Sequence, residues 1–398
     1  MARSLSVRRL ARVAPIVALA LAACRTPAPP EPARTAEHAL VEVSGDELPA
    51  FADDLDYAGL DEALSRSALH LARIAAGDPG RTYAFGRERV PVQKLQATLA
   101  RFREVALARP TPTELQNSIR REFRVFRSVG DGTGSVLVTG YYLPELRGAP
   151  ARGGPYQVPL HRAPDDLVVV RAKDFPQQLG DDLVGRVEAG RLVPYPTRAE
   201  IAAGAVDDRA ALCFVDSAVD AFFLEIQGSG VVRFEDGTSR VVTFAGKNGH
   251  RYEAIGAELV RRGAIPKEQL SMQAIRAWLA ANPAEQPALL ARNPSYVFFR
   301  FADAPTGSLG VPVTPDRTIA ADARVFPKGA LAFLASERPV DATGAAMRPF
   351  SRFVLDQDAG GAIRSSARVD LYLGSGAYAE NAAGRMRQPG RLYYLLLR

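Results

Sequence analysis

The chain has 398 residues, 24% of them charged, and a formal net charge of +6. Four arginines and no acidic residues fall in residues 1–23, so the remainder carries 6 − 4 = +2. This mild excess argues against a nucleic-acid-binding protein, which concentrates Lys and Arg in one patch or stripe. Two cysteines and four histidines form no cluster with metal-ligand spacing, so we expect no bound metal. The length is sufficient for two domains.

The N-terminal part has the composition of a targeting segment followed by a linker. Arginines precede the apolar run 13–23, which is too short to span a bilayer and predicts a secretory signal peptide over residues 1–23. The sequence Leu-Ala-Ala-Cys at its end resembles a bacterial lipobox, so we expect Cys24 to carry a lipid. An ordinary signal peptide with an incidental cysteine is the alternative. Residues 24–44, rich in Pro and Ala, predict an extended tether.

The elements predicted after this segment change character twice. Apolar residues recur at intervals of three and four over 61–76 and around 92–106, a spacing typical of amphipathic helices. From Phe123 onward, short β-rich runs alternate with Gly and Pro and predict a barrel or sandwich of short strands. Helix returns within 252–292, where Ser271 is a candidate N-cap. A final block of strands reaches the last residue.

Several residues of types common in active sites receive structural assignments. His70 lies on the expected buried side of the first helix, and the single tryptophan, Trp278, lies on the apolar side of a later helix. Cys213, in ALCFV, is expected to be a buried small hydrophobic residue. His161 and His250 receive no role. The sequence contains no P-loop, no GxGxxG after a strand and no GxSxG elbow.

Three Gly-rich stretches carry polar side chains. DAGGAIRSSARVDLYLGSG places Asp358 and Asp370 twelve positions apart, QGSG spans 227–230, and GKNGH spans 246–250. In RVDLYL, strand alternation puts Asp370 and Tyr372 on one face, away from the apolar residues that separate them. Gly-Ser and Asn-Gly pairs are also typical of plain turns, so each stretch alone is weak evidence for a site.

Seven motifs follow one another from about residue 123 to the end of the chain. They are VTGYYLPEL (138–146), GRLVPYPTRAEI (190–201), EIQGSG (225–230), FAGKNGHRY (244–252), SMQAIRAWL (271–279), NPSYVFF (293–299) and DAGGAI with VDLY (358–372). In this order they resemble the membrane-bound lytic murein transglycosylase A family. The final block is similar to the 3D domain, named for three aspartates, which fall on Asp322, Asp358 and Asp370.

The resemblance implies a mainly β fold with flanking helices. A double-psi β-barrel would be interrupted by a second, smaller β-domain, with a groove for a glycan strand between the two. On this chain we expect residues 45–146 to hold the N-terminal helices and the first part of the barrel. Residues 147–308 would form the inserted domain, and residues 309–398 the second part of the barrel, which is the 3D domain.

The resemblance also implies a reaction: cleavage of the β-1,4 bond between N-acetylmuramic acid and N-acetylglucosamine in peptidoglycan, leaving a 1,6-anhydro ring. Ordinary glycosidases need two carboxyl groups. Here the 6-hydroxyl of the sugar attacks, so one carboxyl group suffices as acid and then as base. The catalytic aspartate of the family falls on Asp370, whose apolar neighbours limit its solvation. Arg368 and Val369 stand where many relatives have a histidine and an aromatic residue, and Arg368 on the same face would stabilise the carboxylate and work against this role.

The other site residues are carried over by matching motifs. Asp358, before two glycines, is expected to orient the site or bind sugar rather than transfer protons, and Asp322 is expected to be mainly structural. Tyr141 or Tyr142 would stack on a sugar ring, because only one of the two can face the groove. The remaining expected glycan contacts are Gln227, Gly228, Ser229, Gly230, Lys247 and Asn248, with the lysine near anionic lactyl or peptide carboxylates.

Two other functions stay open at this point. One is an inverting muramidase or other glycosidase on the same barrel, with Asp358 as the base, and the other is a non-catalytic cell-wall-binding protein. No cofactor is implied, because acid–base chemistry needs neither metal nor nucleotide. We expect a monomeric outer-membrane lipoprotein that faces the periplasm and binds peptidoglycan glycan strands, with cell-wall synthesis complexes as candidate partners and no nucleic acid. Arg25, directly after Cys24, agrees with outer-membrane placement.

Overall fold

The computed structural model describes residues 31–177, 179, 182–341, 343, 344 and 346–398. The signal peptide predicted over residues 1–23 and the lipid attachment predicted at Cys24 lie outside the described residues. Within them, no helix has both the length and the apolar character needed to cross a membrane.

Helices flank the sheets throughout the described part of the chain. The α-helices are α1 (Ala36–Ala39), α2 (Leu60–Gly77), α3 (Val92–Leu107), α4 (Pro112–Glu122), α5 (Arg198–Glu200), α6 (Ala218–Gln227), α7 (Ile255–Arg261), α8 (Met272–Ala281), α9 (Gln286–Leu290) and α10 (Gly376–Arg385). The helices predicted over 61–76 and around 92–106 are confirmed as α2 and α3, which pack against each other. The predicted N-cap Ser271 is also confirmed, since its hydroxyl accepts a hydrogen bond from the Ala274 N–H at 3.1 Å.

The strands formed by the described residues belong to four sheets. They are β1 (Leu40–Val43), β2 (Thr82–Phe85), β3 (Glu88–Pro91), β4 (Phe123–Ser128), β5 (Val136–Leu143), β6 (Glu145–Ala149), β7 (Val158–His161), β8 (Val168–Val170), β9 (Leu183–Glu188), β10 (Arg191–Pro194), β11 (Ala211–Val215), β12 (Ser229–Phe234), β13 (Ser239–Lys247), β14 (Val297–Ala302), β15 (Thr318–Ala320), β16 (Leu331–Pro339), β17 (Met347–Asp358), β18 (Arg368–Ser375) and β19 (Arg387–Leu397). Two small sheets, β2-β3 and β10-β9-β8, accompany two large ones.

The first large sheet closes into a six-stranded barrel. Its strands follow the order β19-β16-β17-β15-β18-β5, and β5 pairs again with β19 to complete the ring. Two of these pairings, β15 with β17 and β18 with β5, are parallel, and the others are antiparallel. Strands β4 and β1 extend the sheet from the C-terminal half of β19. Closure leaves few unpaired strand edges, which stabilises an all-β body.

Side chains that alternate in direction along each strand form the barrel core. In β18, the side chains of Val369 and Leu371 are fully buried, whereas Arg368 before them and Asp370 between them are partly exposed. The aromatic residues Phe333 and Phe353 pack with ring centroids 5.0 Å apart. Each fully buried apolar side chain contributes roughly 1.5–3 kcal/mol to the free energy of unfolding, so this core fixes which residues of β18 face outward.

The second large sheet has the order β14-β13-β12-β6-β11-β7 and is accompanied by α6 to α9. The chain leaves the barrel at Pro144, between β5 and β6, and returns to it after β14 at β15. This mainly β architecture, a closed barrel interrupted by a smaller β unit, confirms the predicted fold class. The exact division at 146/147 and 308/309 stays a proposal, because Glu145 and Leu146 already pair within the second sheet.

The sheet begins earlier along the chain than the tether prediction allowed. The extended tether is predicted over residues 24–44, but β1 pairs with β4 in antiparallel register from Leu40 with Ser128 to Val43 with Val125. Leu40 and Val43 are buried in the barrel core. The described residues from about 36 onward are therefore part of the folded body.

Candidate active site

Asp370 lies in the middle of β18, between the parallel strand β5 and the antiparallel strand β15. It is opposite Thr139 on β5 and Ala320 on β15. The predicted alternation is confirmed: Asp370 and Tyr372 lie on the face away from the barrel core. The Asp370 side chain is 14% exposed and that of Arg368 beside it is 35% exposed, so this carboxyl group is accessible from the surface of the barrel.

Two side chains hold the Asp370 carboxylate. The Arg368 guanidinium donates from Nε to Oδ1 at 2.8 Å and from Nη2 to Oδ2 at 2.9 Å. Thr139 donates its hydroxyl to Oδ1 at 2.5 Å from the neighbouring strand. Arg368 therefore does point the same way as Asp370, which was the arrangement that the sequence left open. Thr139, within the VTGYY motif, was not singled out from the sequence.

Asp358 ends β17 and is held by three donors. Its Oδ1 accepts the backbone N–H groups of Ser308 and Ala359, each at 2.8 Å, and its Oδ2 accepts the Tyr141 hydroxyl at 3.0 Å. Gly307 is required here, because a Cβ atom at that position would lie 3.2 Å from the Asp358 Cγ atom and 2.9 Å from the Gln357 carbonyl oxygen. Burial raises the pKa of Asp358, and this effect outweighs the three hydrogen bonds.

The adjacent tyrosines of β5 diverge as strand geometry requires. The Tyr141 ring lies 5.1 Å from the Tyr372 ring, centroid to centroid, and its hydroxyl reaches Asp358. Burial and the neighbouring Asp358 raise the pKa of Tyr141 well above its ordinary value. Tyr142 is buried against the barrel, with its hydroxyl 3.3 Å from Glu380 on α10. Of the two residues, Tyr141 is the one that shares a surface with Asp358 and Asp370.

A buried polar network supports this surface from behind. The Lys328 ammonium donates to Asp356 Oδ1 at 2.5 Å and to the backbone carbonyl oxygen of Asp358 at 2.6 Å. Tyr394 donates its hydroxyl to Asp356 Oδ2 at 2.8 Å. Burial raises the pKa of Asp356, while Lys328 opposes that shift. These three residues carry no local signal in the sequence, because each is typical of an ordinary strand or turn.

Asp322, the third aspartate of the 3D block, is hydrogen-bonded within its own turn. Its carboxylate accepts the Arg324 backbone N–H at 3.0 Å and the Arg324 side chain at 3.0 Å from Nε and 2.7 Å from Nη2. Burial opposes ionisation of Asp322, but the hydrogen bonds from Arg324 outweigh it and lower the pKa. No hydrogen bond among the described residues joins Asp322 to Asp358 or Asp370.

The QGSG stretch forms the junction of α6 and β12 next to the tyrosines. Gln227 accepts the Tyr142 backbone N–H at 3.1 Å, and the Ser229 hydroxyl lies 2.8 Å from that of Thr243. Gly228 ends α6 with φ at +80°, which favours glycine. Close packing explains the glycine at 230, since a Cβ atom there would lie 2.4 Å from the Leu224 side chain. The two glycines are explained by local structure alone, and their glycan contacts stay predictions.

The GKNGH stretch separates into an exposed residue and a buried one. Lys247 is exposed at the end of β13. Asn248 is buried: its amide donates to the carbonyl oxygens of Pro196 and Pro294, each at 2.9 Å, and accepts the Tyr296 N–H at 2.9 Å. The polar atoms of Asn248 thus hold two other backbone segments, at 196 and at 294–296, and the glycan contact expected for it stays a prediction.

Cys213 and His70, for which a structural role is expected, and His161, which has no assigned role, are buried or partly buried. Cys213 is fully buried, and burial raises the pKa of its thiol to about 12. His161 is buried, and burial lowers its pKa to about 4. Burial also lowers the pKa of His70, whose Nδ1 lies 3.2 Å from the Leu309 carbonyl oxygen. An apolar pocket of about 640 Å³ between α6, α7, α8 and α10 includes Gln227 but none of the three aspartates of the 3D block.

Comparison with known proteins assigns the chain to a family. The model of the MltA specific insert domain matches residues 137–300, and that of the 3D domain matches residues 317–396. Membrane-bound lytic murein transglycosylase A of Escherichia coli K12 is 36% identical over 271 residues, which are 67% of this chain and 67% of that protein. The chain belongs to the membrane-bound lytic murein transglycosylase A family. The resemblance seen in the seven motifs is thereby confirmed.

Solved structures of this family have the same fold. The crystal structure of a membrane-bound lytic murein transglycosylase from Agrobacterium tumefaciens has a TM-score of 0.74 and 30% identity, and covers 90% of this chain and 98% of that chain. The structure of E. coli MltA with bound chitohexaose has a TM-score of 0.66 and 27% identity, and covers 92% of this chain and 96% of that chain. Asp370 and Asp358 both lie within the 3D domain match.

Proposed function

We propose that this member of the family cleaves the β-1,4 bond between N-acetylmuramic acid and N-acetylglucosamine and leaves a 1,6-anhydro-muramic acid end, with Asp370 as the only proton-transferring carboxyl group. Family membership makes the chain a peptidoglycan lytic transglycosylase. The observation that carries the finer proposal is the contrast between the two carboxyl groups. Both carboxylates have donors on both oxygens, but the donors to Asp370 are side chains, whereas two of the three donors to Asp358 are backbone N–H groups.

The reaction divides into two proton transfers at Asp370. The protonated carboxyl group gives its proton to the glycosidic oxygen while the bond from the muramic acid C1 to that oxygen breaks. The 6-hydroxyl of the same sugar then attacks C1, and its proton passes to the Asp370 carboxylate, which restores the acid. No water enters the reaction, so a second carboxyl group is not required as a base. Positioned acid–base catalysis of this kind contributes roughly 10²–10⁴-fold to the rate.

Asp358 would hold the site in place in this scheme. Its two backbone donors fix the loop that carries Ser308, and its bond to Tyr141 fixes the tyrosine ring beside Tyr372. A tyrosine ring offers an apolar face on which a pyranose can stack. We assign sugar stacking to Tyr141 rather than Tyr142, because Tyr142 is buried against the barrel.

The remaining contacts with the glycan are assigned to the second sheet. Gln227 and Ser229 lie where β12 begins, directly beyond the strand that carries Tyr141, and suit hydroxyl and acetamido groups. Exposed Lys247 suits the anionic lactyl or peptide carboxylates of peptidoglycan. A related E. coli protein has been solved with chitohexaose, an oligosaccharide with the same β-1,4 linkage, which supports a glycan strand as the ligand of this chain.

The inverting muramidase is less well supported by the same geometry. It needs a free carboxylate to activate water on the opposite side of the sugar. Asp358 is the candidate, but two of its three donors are backbone N–H groups, which cannot turn away from the carboxylate as the side chain of Arg368 can turn away from Asp370. The non-catalytic wall-binding alternative leaves the accessible carboxyl group of Asp370 without a role.

Attachment to the outer membrane through a lipid on Cys24, facing the periplasm, is part of the proposal and rests on the sequence. The segment between Cys24 and the folded body would then set how far the site reaches from the membrane. Replacing Cys24 with Ala should release the chain into the soluble periplasmic fraction. Retention of the variant in the outer-membrane fraction would contradict lipid anchoring.

The deciding experiment is mass spectrometry of the muropeptides released from purified sacculi. The soluble chain starting after Cys24 is compared with its Asp370→Asn variant, after circular dichroism has established that the variant is folded. We expect anhydro-muropeptides from the parent and at least a hundredfold fewer from the variant. Reducing ends from the parent would favour the muramidase, and no release from either protein would favour the wall-binding alternative.

A further inference from the structure

Arg368 contacts both oxygens of the group that must carry the proton. We propose that Arg368 is a displaceable positioning residue, which holds the Asp370 carboxylate in the free protein and leaves it before the acid step, while Thr139 keeps the carboxyl group oriented throughout. This inference rests on the proposed function of Asp370. It assigns different tasks to the two side chains that now hold the same carboxylate.

Hydrogen-bonding capacity distinguishes the two partners. The guanidinium has only N–H donors, so it cannot accept a hydrogen bond from a protonated carboxyl group. With Arg368 Nε on Oδ1 and Nη2 on Oδ2, a proton on either oxygen would face a donor. The Thr139 hydroxyl can donate or accept, so its contact with Oδ1 is compatible with both protonation states of Asp370.

Charge leads to the same conclusion. A cation in contact with a carboxylate favours the ionised form, whereas the first step of the proposed reaction needs the protonated form. The other charged and titratable groups around the site include Tyr372 on β18 with Arg66 near it, Tyr141 on β5, Asp356 and Asp358 on β17, Lys328 behind β17, Asp322 with Arg324 after β15, and Arg387 on β19, opposite Thr139. Lys328 and Arg324 are paired with Asp356 and Asp322, so Arg368 is the cation whose ion pair includes Asp370.

The surroundings of Arg368 permit the movement. Its side chain is 35% exposed, and its hydrogen bonds to described residues go only to Asp370 and Thr139. Arg317 differs from Arg368, because its side chain is fully buried and donates to Asp53 and to two backbone carbonyl oxygens. If it moved away, the buried carboxylate of Asp53 would be left unpaired. Arg368 can exchange Asp370 for water by rotating its side chain.

The test is the pH dependence of kcat/KM for anhydro-muropeptide release, from about pH 4 to pH 9. The soluble chain starting after Cys24 is compared with Arg368→Gln, Arg368→Lys and Arg348→Gln. Arg348 is an exposed arginine at the opposite end of β17 from Asp358, so its variant controls for the lost surface charge. Arg368→Met, which keeps the aliphatic stem, replaces Arg368→Gln if the latter fails to fold by circular dichroism.

We expect the limb of the profile that falls with rising pH to move up by about one pH unit in Arg368→Gln. At one unit above the parent midpoint, the activity of the variant relative to its own plateau would then be about five times that of the parent. Arg368→Lys, which keeps the charge, and Arg348→Gln should keep the parent limb. A parent-like limb in folded Arg368→Gln or Arg368→Met, or a shift of equal size in Arg368→Lys, would overturn the inference.

The Asp370→Asn variant keeps the two proposals distinguishable. If it is inactive and the Arg368 variants follow the parent profile, only the role of Arg368 is wrong. If it still releases anhydro-muropeptides at the parent rate, Asp370 is not the acid, and the proposed function fails at its catalytic residue before Arg368 is considered.

Discussion

Tyr141 donates its hydroxyl to Oδ2 of Asp358 at 3.0 Å and so joins two strands that are not neighbours in the barrel. Tyr141 belongs to β5, which pairs with β18 and therefore with the strand of Asp370. Asp358 ends β17, on the far side of β15. The bond thus connects the fixed carboxyl group to the strand next to the catalytic one, and it holds the tyrosine ring at the site.

Replacing Tyr141 with Phe should lower kcat/KM for anhydro-muropeptide release about tenfold. A hydrogen bond to a charged group contributes roughly 1.5–3 kcal/mol, and its loss would free both the ring and the Asp358 oxygen. Tyr142→Phe is the matched control, since its hydroxyl meets Glu380 at 3.3 Å on the other face of β5. We expect the control to keep at least half of the parent activity. An equal loss in both variants would show that general packing of β5, not the bond to Asp358, sets the rate.

Replacing Thr139 with Val should lower kcat by about 10–100-fold and leave KM nearly unchanged. The substitution keeps the β-branched shape but removes the hydroxyl that orients Oδ1 of Asp370. Thr139→Ser keeps the hydroxyl and should keep most of the activity. Both variants are measured on sacculi after their melting temperatures are shown to match the parent. Equal inactivity of the Ser and Val variants would instead assign Thr139 a packing role.

Patterns of short range were readable in the sequence. The three-and-four spacing of apolar residues predicted α2 and α3, and strand alternation predicted the outward face of Asp370. The helix α4 was missed although its signal is present: Thr111 and Glu114 form a capping box, with Pro112 at the first helical position. The fold class and the catalytic assignment needed the family resemblance, because spacing does not specify a closed barrel.

Contacts between distant segments could not be predicted from the sequence. Thr139 and Asp370 are 231 residues apart, and nothing local indicates that parallel strands will place them side by side. The burial of Asn248 also depends on contacts with distant segments. GKNGH looks like an exposed turn, yet the carbonyl oxygens of Pro196 and Pro294 surround the asparagine amide. A polar residue in a Gly-rich stretch can thus be a buried connector, and only its tertiary partners reveal this.

Replacing Asp322 with Asn should lower the free energy of unfolding at pH 7 by about 1–2 kcal/mol, because the bonds to Arg324 lose their charge. The folded-state pKa of Asp322 is lowered, so the ionised form stabilises the protein above the ordinary carboxyl value of about 3.9. That contribution is lost as the pH falls through the folded-state pKa. Urea unfolding at pH 7, pH 5 and about pH 3 should show the difference between parent and variant shrinking only at the lowest pH. Asp165→Asn, at an exposed ion pair with Arg162, should change little throughout.

Lys247 and Asn248 are neighbours, but replacing Asn248 should lower stability, whereas replacing Lys247 should weaken binding to sacculi. Asn248→Ala would leave the Pro196 carbonyl oxygen and the Tyr296 N–H without the Asn248 amide, while the Pro294 carbonyl oxygen would keep the Arg198 N–H, so it should lower the free energy of unfolding by about 2 kcal/mol. Lys247→Ala removes an exposed charge and should change stability by less than about 0.5 kcal/mol. It should weaken binding of an Asp370→Asn protein to sacculi and reduce the salt dependence of that binding, as expected for a cation near peptidoglycan carboxylates. The double variant Lys247→Ala, Asp370→Asn is compared with Asp370→Asn alone. Equal binding at every salt concentration would show that the glycan lies away from the end of β13.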